Sequence, residues 1–147
     1  MIAVVQRVRS AKVEVAGDVV GRIDKGLCVL AAIHRDDTAK EVSWMAEKIA
    51  GMRAFPEGDK NFHLDVRQVG GAVLLISNFT VAAATSTGRR PTLEAAADPV
   101  KGKAVFDELL AAVAALGVTV QTGVFQAHMD VTIENDGPIT FIVDTRD

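Results

Sequence analysis

The chain has 147 residues, 49% of them hydrophobic and 24% charged. That balance suits a single globular domain spanning 1–147 and excludes intrinsic disorder as its main state. A formal net charge of −3 at pH 7 argues against coating nucleic acid through bulk charge, though not against gripping one nucleic-acid end with a few residues.

No stretch approaches the roughly 18 apolar residues of a membrane helix. No basic-then-apolar leader opens the chain, and its one cysteine, Cys28, has no partner for an intramolecular disulfide. A cytoplasmic protein with no membrane partner is therefore the expectation. Strands are expected first. Val4, Val5 and Val8 follow the start, and Lys12-Val13-Glu14-Val15 alternates polar with apolar as a half-buried strand does. Ala16-Gly17-Asp18 signals a turn, after which Val19 to Ile23 returns as a partner strand. Leu27 to Ile33 is apolar throughout, which predicts a strand buried on both faces.

Thr38-Ala39-Lys40-Glu41 fits a capping box. Val42, Met45, Ala46, Ile49 and Met52 then recur at helical spacing and predict one apolar face. Pro56 to Asn61 reads as a polar surface loop. Ala72 to Ile76 reads as a buried strand that runs directly into Ser77-Asn78-Phe79-Thr80. Asp98-Pro99 starts a second long helix, with an expected stripe of Val100, Ala104, Val105, Leu109, Ala112, Val113 and Leu116, and Gly117 ends it. His128 to Glu134 alternates cleanly, Asn135-Asp136-Gly137-Pro138 reads as the turn of a plain hairpin, and Ile139 to Val143 as the next strand. Runs of strands with two intervening helices predict an α+β fold with mainly antiparallel sheets, not a doubly wound one.

Standard catalytic signatures are missing: no nucleophile elbow, no phosphate-binding loop, no dinucleotide fingerprint. His34, His63 and His128 are scattered without ligand spacing, so neither a metal nor another cofactor is expected. Cys28 lies inside an apolar run, where burial makes a thiol inert. Two segments carry more. Ser77-Asn78-Phe79-Thr80 sits where a buried strand ends, and there hydroxyls, an amide and unpaired N–H groups can orient a polar substrate and hold an oxyanion. The plain reading of the same residues is a capped strand-to-loop transition. Gly137-Pro138 can adopt a cis bond, since a residue before proline has a much reduced trans preference.

Together these segments resemble the D-aminoacyl-tRNA deacylase family over almost the whole chain. The motifs are Met1-Ile2-Ala3-Val4-Val5-Gln6-Arg7-Val8, Lys25-Gly26-Leu27, Lys48-Ile49, Ser77-Asn78-Phe79-Thr80, Gly88-Arg89-Arg90-Pro91, Thr122-Gly123-Val124-Phe125, Met129-Asp130-Val131 and Asn135 to Thr140. Each is weak alone, and their order and spacing are specific. The resemblance implies a barrel-like sheet core with two long helices. It also implies hydrolysis of the ester between a D-amino acid and the 3′ end of tRNA, and of glycyl-tRNA as well.

It further implies a homodimer in which a cis Gly137-Pro138 enters the partner subunit's pocket and excludes L-amino acids. Ser77, Asn78, Phe79 and Thr80 would form the catalytic segment, and Asn135, Thr140, Phe125 and Met129 would flank the substrate. The terminal 2′-hydroxyl of the RNA, rather than a covalent Thr80 intermediate, would assist the attacking water. Arg7, Arg89 and Arg90 are the expected tRNA contacts, with Arg9, Lys12, Lys101 and Lys103 as further phosphate candidates, and DNA is not expected as a partner. Three positions depart from the family pattern: Asn78 stands for the usual glutamine, Ala82 for an aromatic and Gln126 for a glycine. The shorter Asn78 leaves two other readings open, a deacylase of altered substrate range and a non-catalytic aminoacyl-tRNA-binding module.

Overall fold

The computed structural model describes residues 1–147. The first strand, β1 (Ile2–Val15), is 14 residues long and organises the sheet. Burial alternates over Ala3 and Val5 and again over Ala11 and Val13, and it steps by three on either side of Val8, where the pairing with the last strand shifts register. One edge of β1 pairs with β2 (Asp18–Ile23) over its second half and with β3 (Gly26–Ala32) over its first half, both antiparallel. The β1–β2 connection turns through Ala16 and Gly17 at φ 50° and 84°, a backbone twist that suits a two-residue hairpin.

The chain leaves β3 through helix α1 (Ala39–Gly51), and a small hairpin follows, β4 (Phe55–Glu57) and β5 (Lys60–Leu64). The expected loop over 56–61 is therefore the tip of a hairpin, turning at Gly58 with φ 58°. Strand β6 (Ala72–Ser77), a short 3-10 helix (Phe79–Ala82), helix α2 (Pro99–Ala115) and β7 (Thr119–Thr122) come next. The last strand is β8 (Asp130–Asp144).

The sheet order is β2-β1-β3-β6-β7, with β8 on the other edge of β1. The expected α+β architecture with mainly antiparallel pairing and two long helices is present. Two pairings are parallel, β3–β6 and β6–β7, because each connection carries a helix that returns the chain to the same end of the sheet. Gly21 of β2 packs so tightly on the Thr122 carbonyl of β7 that no side chain would fit, and the sheet nearly closes into a barrel there.

Both helix starts follow the sequence. Thr38 N–H donates to Glu41 Oε2 at 2.8 Å at the head of α1, and Asp98 Oδ1 accepts from Val100 and Lys101 N–H at 3.0 and 3.1 Å at the head of α2. The α2 stripe differs from the expected one. Its buried residues are Gly102, Val105, Phe106, Leu109 and Val113, and Val100 is 83% exposed. At about 100° per residue, Val100 and Ala104 fall on the side opposite to that set.

Apolar residues pack in two clusters. Leu27, Val29, Val73 and Leu75 face Met45, Ile49, Leu109 and Val113 of the helices, while Val8, Val13, Ile23, Cys28, Leu74 and Ile76 fill the barrel. Each large side chain buried this way contributes about 1.5–3 kcal/mol. The Met1 ammonium is also buried, paired to Asp37 Oδ1 at 2.6 Å.

The C-terminal segment departs most from expectation. Asn135 to Pro138 is not a hairpin turn. The β1–β8 register steps from Gln6↔Thr140 to Val8↔Asn135, so four residues, 136–139, bulge out opposite Arg7 while the chain continues along the same neighbour. The long ladder with β1 on both sides of the bulge outweighs the local turn signal.

Candidate active site

Strand β6 runs out of partners at its C-terminal end. Asn78 N–H makes the last bond to the β3 neighbour, to Ala31 O at 2.9 Å, and the chain then tightens into the 3-10 turn. Val81 N–H donates to Asn78 O and Ala83 N–H to Thr80 O, which leaves the N–H groups of Phe79 and Thr80 without an acceptor. First-turn donors have no partner within their own helix; here no side chain caps them, and they sit beside a cleft of about 940 Å³.

Ser77, Asn78 and Phe79 form one wall of that cleft, and Leu30 and Ile76 contribute from the sheet. Leu93 and the segment 96–99 at the head of α2 form a second wall. Phe125 to Met129 with Val131 and Ile133 form the third. Phe79 is 58% exposed, a large ring held in the open. Phe125 is backed by Phe106, with ring centroids 6.1 Å apart. Thr80 does not line the cleft. Its hydroxyl donates to Asn78 Oδ1 at 2.6 Å, so the amide at 78 is engaged from behind.

No group in the cleft has the surroundings of an activated nucleophile. Thr80 Oγ1 faces an amide oxygen and not a base. Asp98 is occupied as the cap of α2. His128 is 96% exposed at the rim, 3.9 Å from Asp130. Cys28 lies in the barrel, where burial pushes its thiol up to about 12. His34 is buried elsewhere, with Nε2 unpartnered, and burial lowers its pKa. His63 pairs with Glu57 at 3.1 Å on the small hairpin. The three histidines do not meet, and no three His, Cys, Asp or Glu side chains converge.

A second cluster forms around the β8 bulge. The Gly137-Pro138 bond is cis, as the resemblance implied, and both residues are exposed. Asn135 Oδ1 accepts from Ile139 N–H at 2.7 Å, and its Nδ2 donates to Ile139 O and Thr140 Oγ1 at 3.1 Å each. Gln6 Nε2 donates to Thr140 Oγ1 at 3.3 Å. Arg7 stands beneath the bulge, 12% exposed and 3.4 Å from Asp136 Oδ2. Its Nε donates to Asp136 O at 3.1 Å and a terminal nitrogen to Ala54 O at 2.9 Å.

The structure thus gathers Ser77, Asn78, Phe79, Phe125 and Met129 into one cleft, and Asn135, Gly137, Pro138 and Thr140 into a braced crest outside that cleft. Arg7, expected among the RNA contacts, is hydrogen-bonded to the crest at Asp136. Arg89 and Arg90 are exposed on the loop before α2. The cleft walls from the head of α2 and from Ala127 were not anticipated, whereas Gln126 stands out in the sequence only as a departure from the family pattern. The Asp98-Pro99 signal pointed only to a helix start, and no periodicity marks the others.

A sequence model of the family described as D-Tyr-tRNA(Tyr) deacylase matches residues 4–144. A D-aminoacyl-tRNA deacylase of Geobacter sulfurreducens is 44% identical over 99% of this chain and 96% of its own. One of Chloroflexus aurantiacus is 46% identical over 100% and 92%. Among solved structures, one titled c-Myc DNA Unwinding Element Binding Protein superposes with a TM-score of 0.92 at 31% identity over 99% of both chains. One titled as a probable eukaryotic D-amino acid tRNA deacylase shares the fold, with a TM-score of 0.82 at 16% identity over 97% of both chains.

Proposed function

The chain belongs to the D-Tyr-tRNA(Tyr) deacylase family, and we propose that its cleft cleaves the ester between a D-amino acid and the terminal ribose of tRNA as half of a homodimer, each cleft completed by Gly137 and Pro138 of the partner subunit. The activity is hydrolytic proofreading of D-aminoacyl-tRNA. The observation that carries the assignment to this cleft is the pair of free N–H groups at Phe79 and Thr80, beside a cavity roomy enough for an aminoacyl nucleoside.

Water adds to the ester carbonyl carbon, and the carbonyl oxygen takes on negative charge. The Phe79 and Thr80 N–H groups donate to that oxyanion, and a donor of this kind is worth about 2.7–4 kcal/mol in the transition state. The tetrahedral centre then collapses, the bond to the ribose 3′-oxygen breaks, and that oxygen leaves with a proton. Free amino acid and tRNA are the products. The terminal 2′-hydroxyl of the RNA orients the water and assists its deprotonation. The absence of a base beside Thr80 Oγ1 supports this route over a covalent threonine ester.

Chirality is read by exclusion. D and L isomers exchange hydrogen and side chain at one carbon. With amine and ester fixed, a rigid backbone wall in one direction admits hydrogen and rejects carbon. The crest fits that role: it is exposed, braced by Asn135, Thr140 and Arg7, and lies outside its own subunit's cleft. Such a wall reads no side chain, so many D-amino acids pass, and glycine passes too. Arg89 and Arg90, with Lys101 and Lys103, contact RNA phosphates, and tRNA rather than DNA is the partner.

The test is a time course with substoichiometric enzyme on tRNA charged with D-alanine, L-alanine or glycine, with duplex DNA as competitor. Repeated release from D-alanine and glycine, with L-alanine spared and DNA without effect, is the expected result. Binding of D-alanyl-tRNA without turnover would overturn the catalytic reading.

A further inference from the structure

Two residues other than glycine have positive φ. Ala16, at 50°, belongs to the β1–β2 hairpin, where such a conformation is routine. Gln126, at 64°, belongs to no hairpin. It lies in the turn closed by Ala127 N–H on Val124 O at 3.2 Å, on the third wall of the cleft. The left-handed conformation is costly for a residue with a Cβ, and when such a residue persists at a site, the strained position is a pointer to use. Its amide is exposed and makes no hydrogen bond within the chain, so both its donor and its acceptor are free.

We infer that Gln126 is a specificity-determining residue that reads the base of the terminal adenosine, its Oε1 accepting from N6–H and its Nε2–H donating to N7. The inference rests on the deacylase reading of the cleft. A cavity of about 940 Å³ exceeds what an amino acid fills and lies in the range of about 300–1,000 Å³ typical for larger ligands. One part of the substrate varies, the amino-acid side chain, and a wall made of backbone accommodates that variation. The other part is constant, the terminal nucleoside. A two-point amide is useful only against a constant group, and a glutamine amide matches the N6/N7 edge of adenine in two parallel bonds. The exposed ring of Phe79 on another wall of the same cleft gives the base a face to stack on.

The probes are two non-hydrolysable amides, 3′-(D-alanylamino)-3′-deoxyadenosine and its purine counterpart lacking the 6-amino group. Their dissociation constants are measured by calorimetry for the wild type, Gln126→Ala and Gln126→Gly. Glycine is at ease at this φ, so the second variant guards against misfolding of the first. The wild type is expected to bind the adenosine probe about 5- to 10-fold more tightly than the purine probe, and both variants to bind the two alike. A preference that survives in Gln126→Ala, or a wild type that lacks one, overturns the inference. Hydrolysis of D-alanyl-tRNA by the same wild-type preparation separates the two readings. Preference without hydrolysis sinks the deacylase mechanism and keeps Gln126, and hydrolysis without preference does the reverse.

Discussion

Gly137 has φ +142°, a backbone conformation closed to other residues, and a Cβ there would stand 2.7 Å from Ile139 Cγ1 and 2.9 Å from Ile139 N. Gly137→Ala must therefore re-aim the crest. A displacement near 1 Å at a positioning group costs on the order of 10²-fold in rate, so kcat/KM on D-alanyl-tRNA should fall by about that factor. Hydrolysis within threefold of wild type would contradict the role given to the crest. Asn78 is a milder case. Its Oδ1 holds the Thr80 hydroxyl at 2.6 Å, and glutamine, one methylene longer, can still offer that oxygen. Asn78→Gln should keep D-alanyl-tRNA hydrolysis within about threefold or raise it, whereas a tenfold loss in the same time course would mean that the cleft is built around the shorter amide. The sequence located this segment at a strand end. It did not reveal that Thr80 turns back to Asn78, because that contact is made by a 3-10 turn that strand alternation does not encode.

At the scale of elements, signals local to a segment were legible and those set by a distant partner were not. Both helix caps, the β1–β2 turn and the buried strands β3 and β6 follow from spacing within a few residues. The bulge in β8 was misread as a hairpin because its register is dictated by β1, more than a hundred residues away. Arg7 depends on the same distant partner: an arginine near the N-terminus looks like a free cation until β8 folds over it. This gives two arginine types with different signatures. Arg7→Ala removes part-buried hydrogen bonds to the Asp136 and Ala54 carbonyls, which should cost about 1–3 kcal/mol of stability. It should also lower kcat on D-alanyl-tRNA by releasing the crest, with the salt dependence of tRNA binding unchanged. Arg89→Ala or Arg90→Ala should leave thermal stability alone and reduce the slope of log K against log salt by roughly 1. A lowered slope for Arg7→Ala would return it to the RNA surface.

For the whole molecule, the class of fold was legible from the alternation of strand runs with two helices, and the near closure of the barrel was not. Closure depends on Gly21 meeting Thr122, a contact between the second strand and the seventh. Acid should loosen this assembly in two stages. Burial lowers the pKa of His34 below its ordinary 6.5. The unfolded chain therefore takes up a proton that the folded one refuses, and stability should begin to fall as pH drops below that value. The hydrogen bond from Arg146 holds Asp144 at about 2, against 3.8 ordinarily. Its contribution is complete above pH 4 and is lost as pH falls toward 2. Urea midpoints measured across this range should show both declines, and Asp144→Asn should flatten the lower one. The dimer sets the last test. If each cleft borrows the partner's Gly137, a Gly137→Ala subunit spoils its neighbour's site and keeps its own cleft wall. Phe79→Ala, at a residue 58% exposed and so removable without emptying the core, spoils its own cleft and still lends a good crest. Phe79→Ala keeps the backbone N–H and loses the ring on which the base stacks, worth about 1–3 kcal/mol, so each variant alone should be slowed by about tenfold or more. Unfolded together and refolded in equal amounts, half the dimers should be mixed, each with one complete site, and activity should return to about a quarter of the wild-type value. No recovery from mixed dimers would place crest and cleft in the same subunit's site.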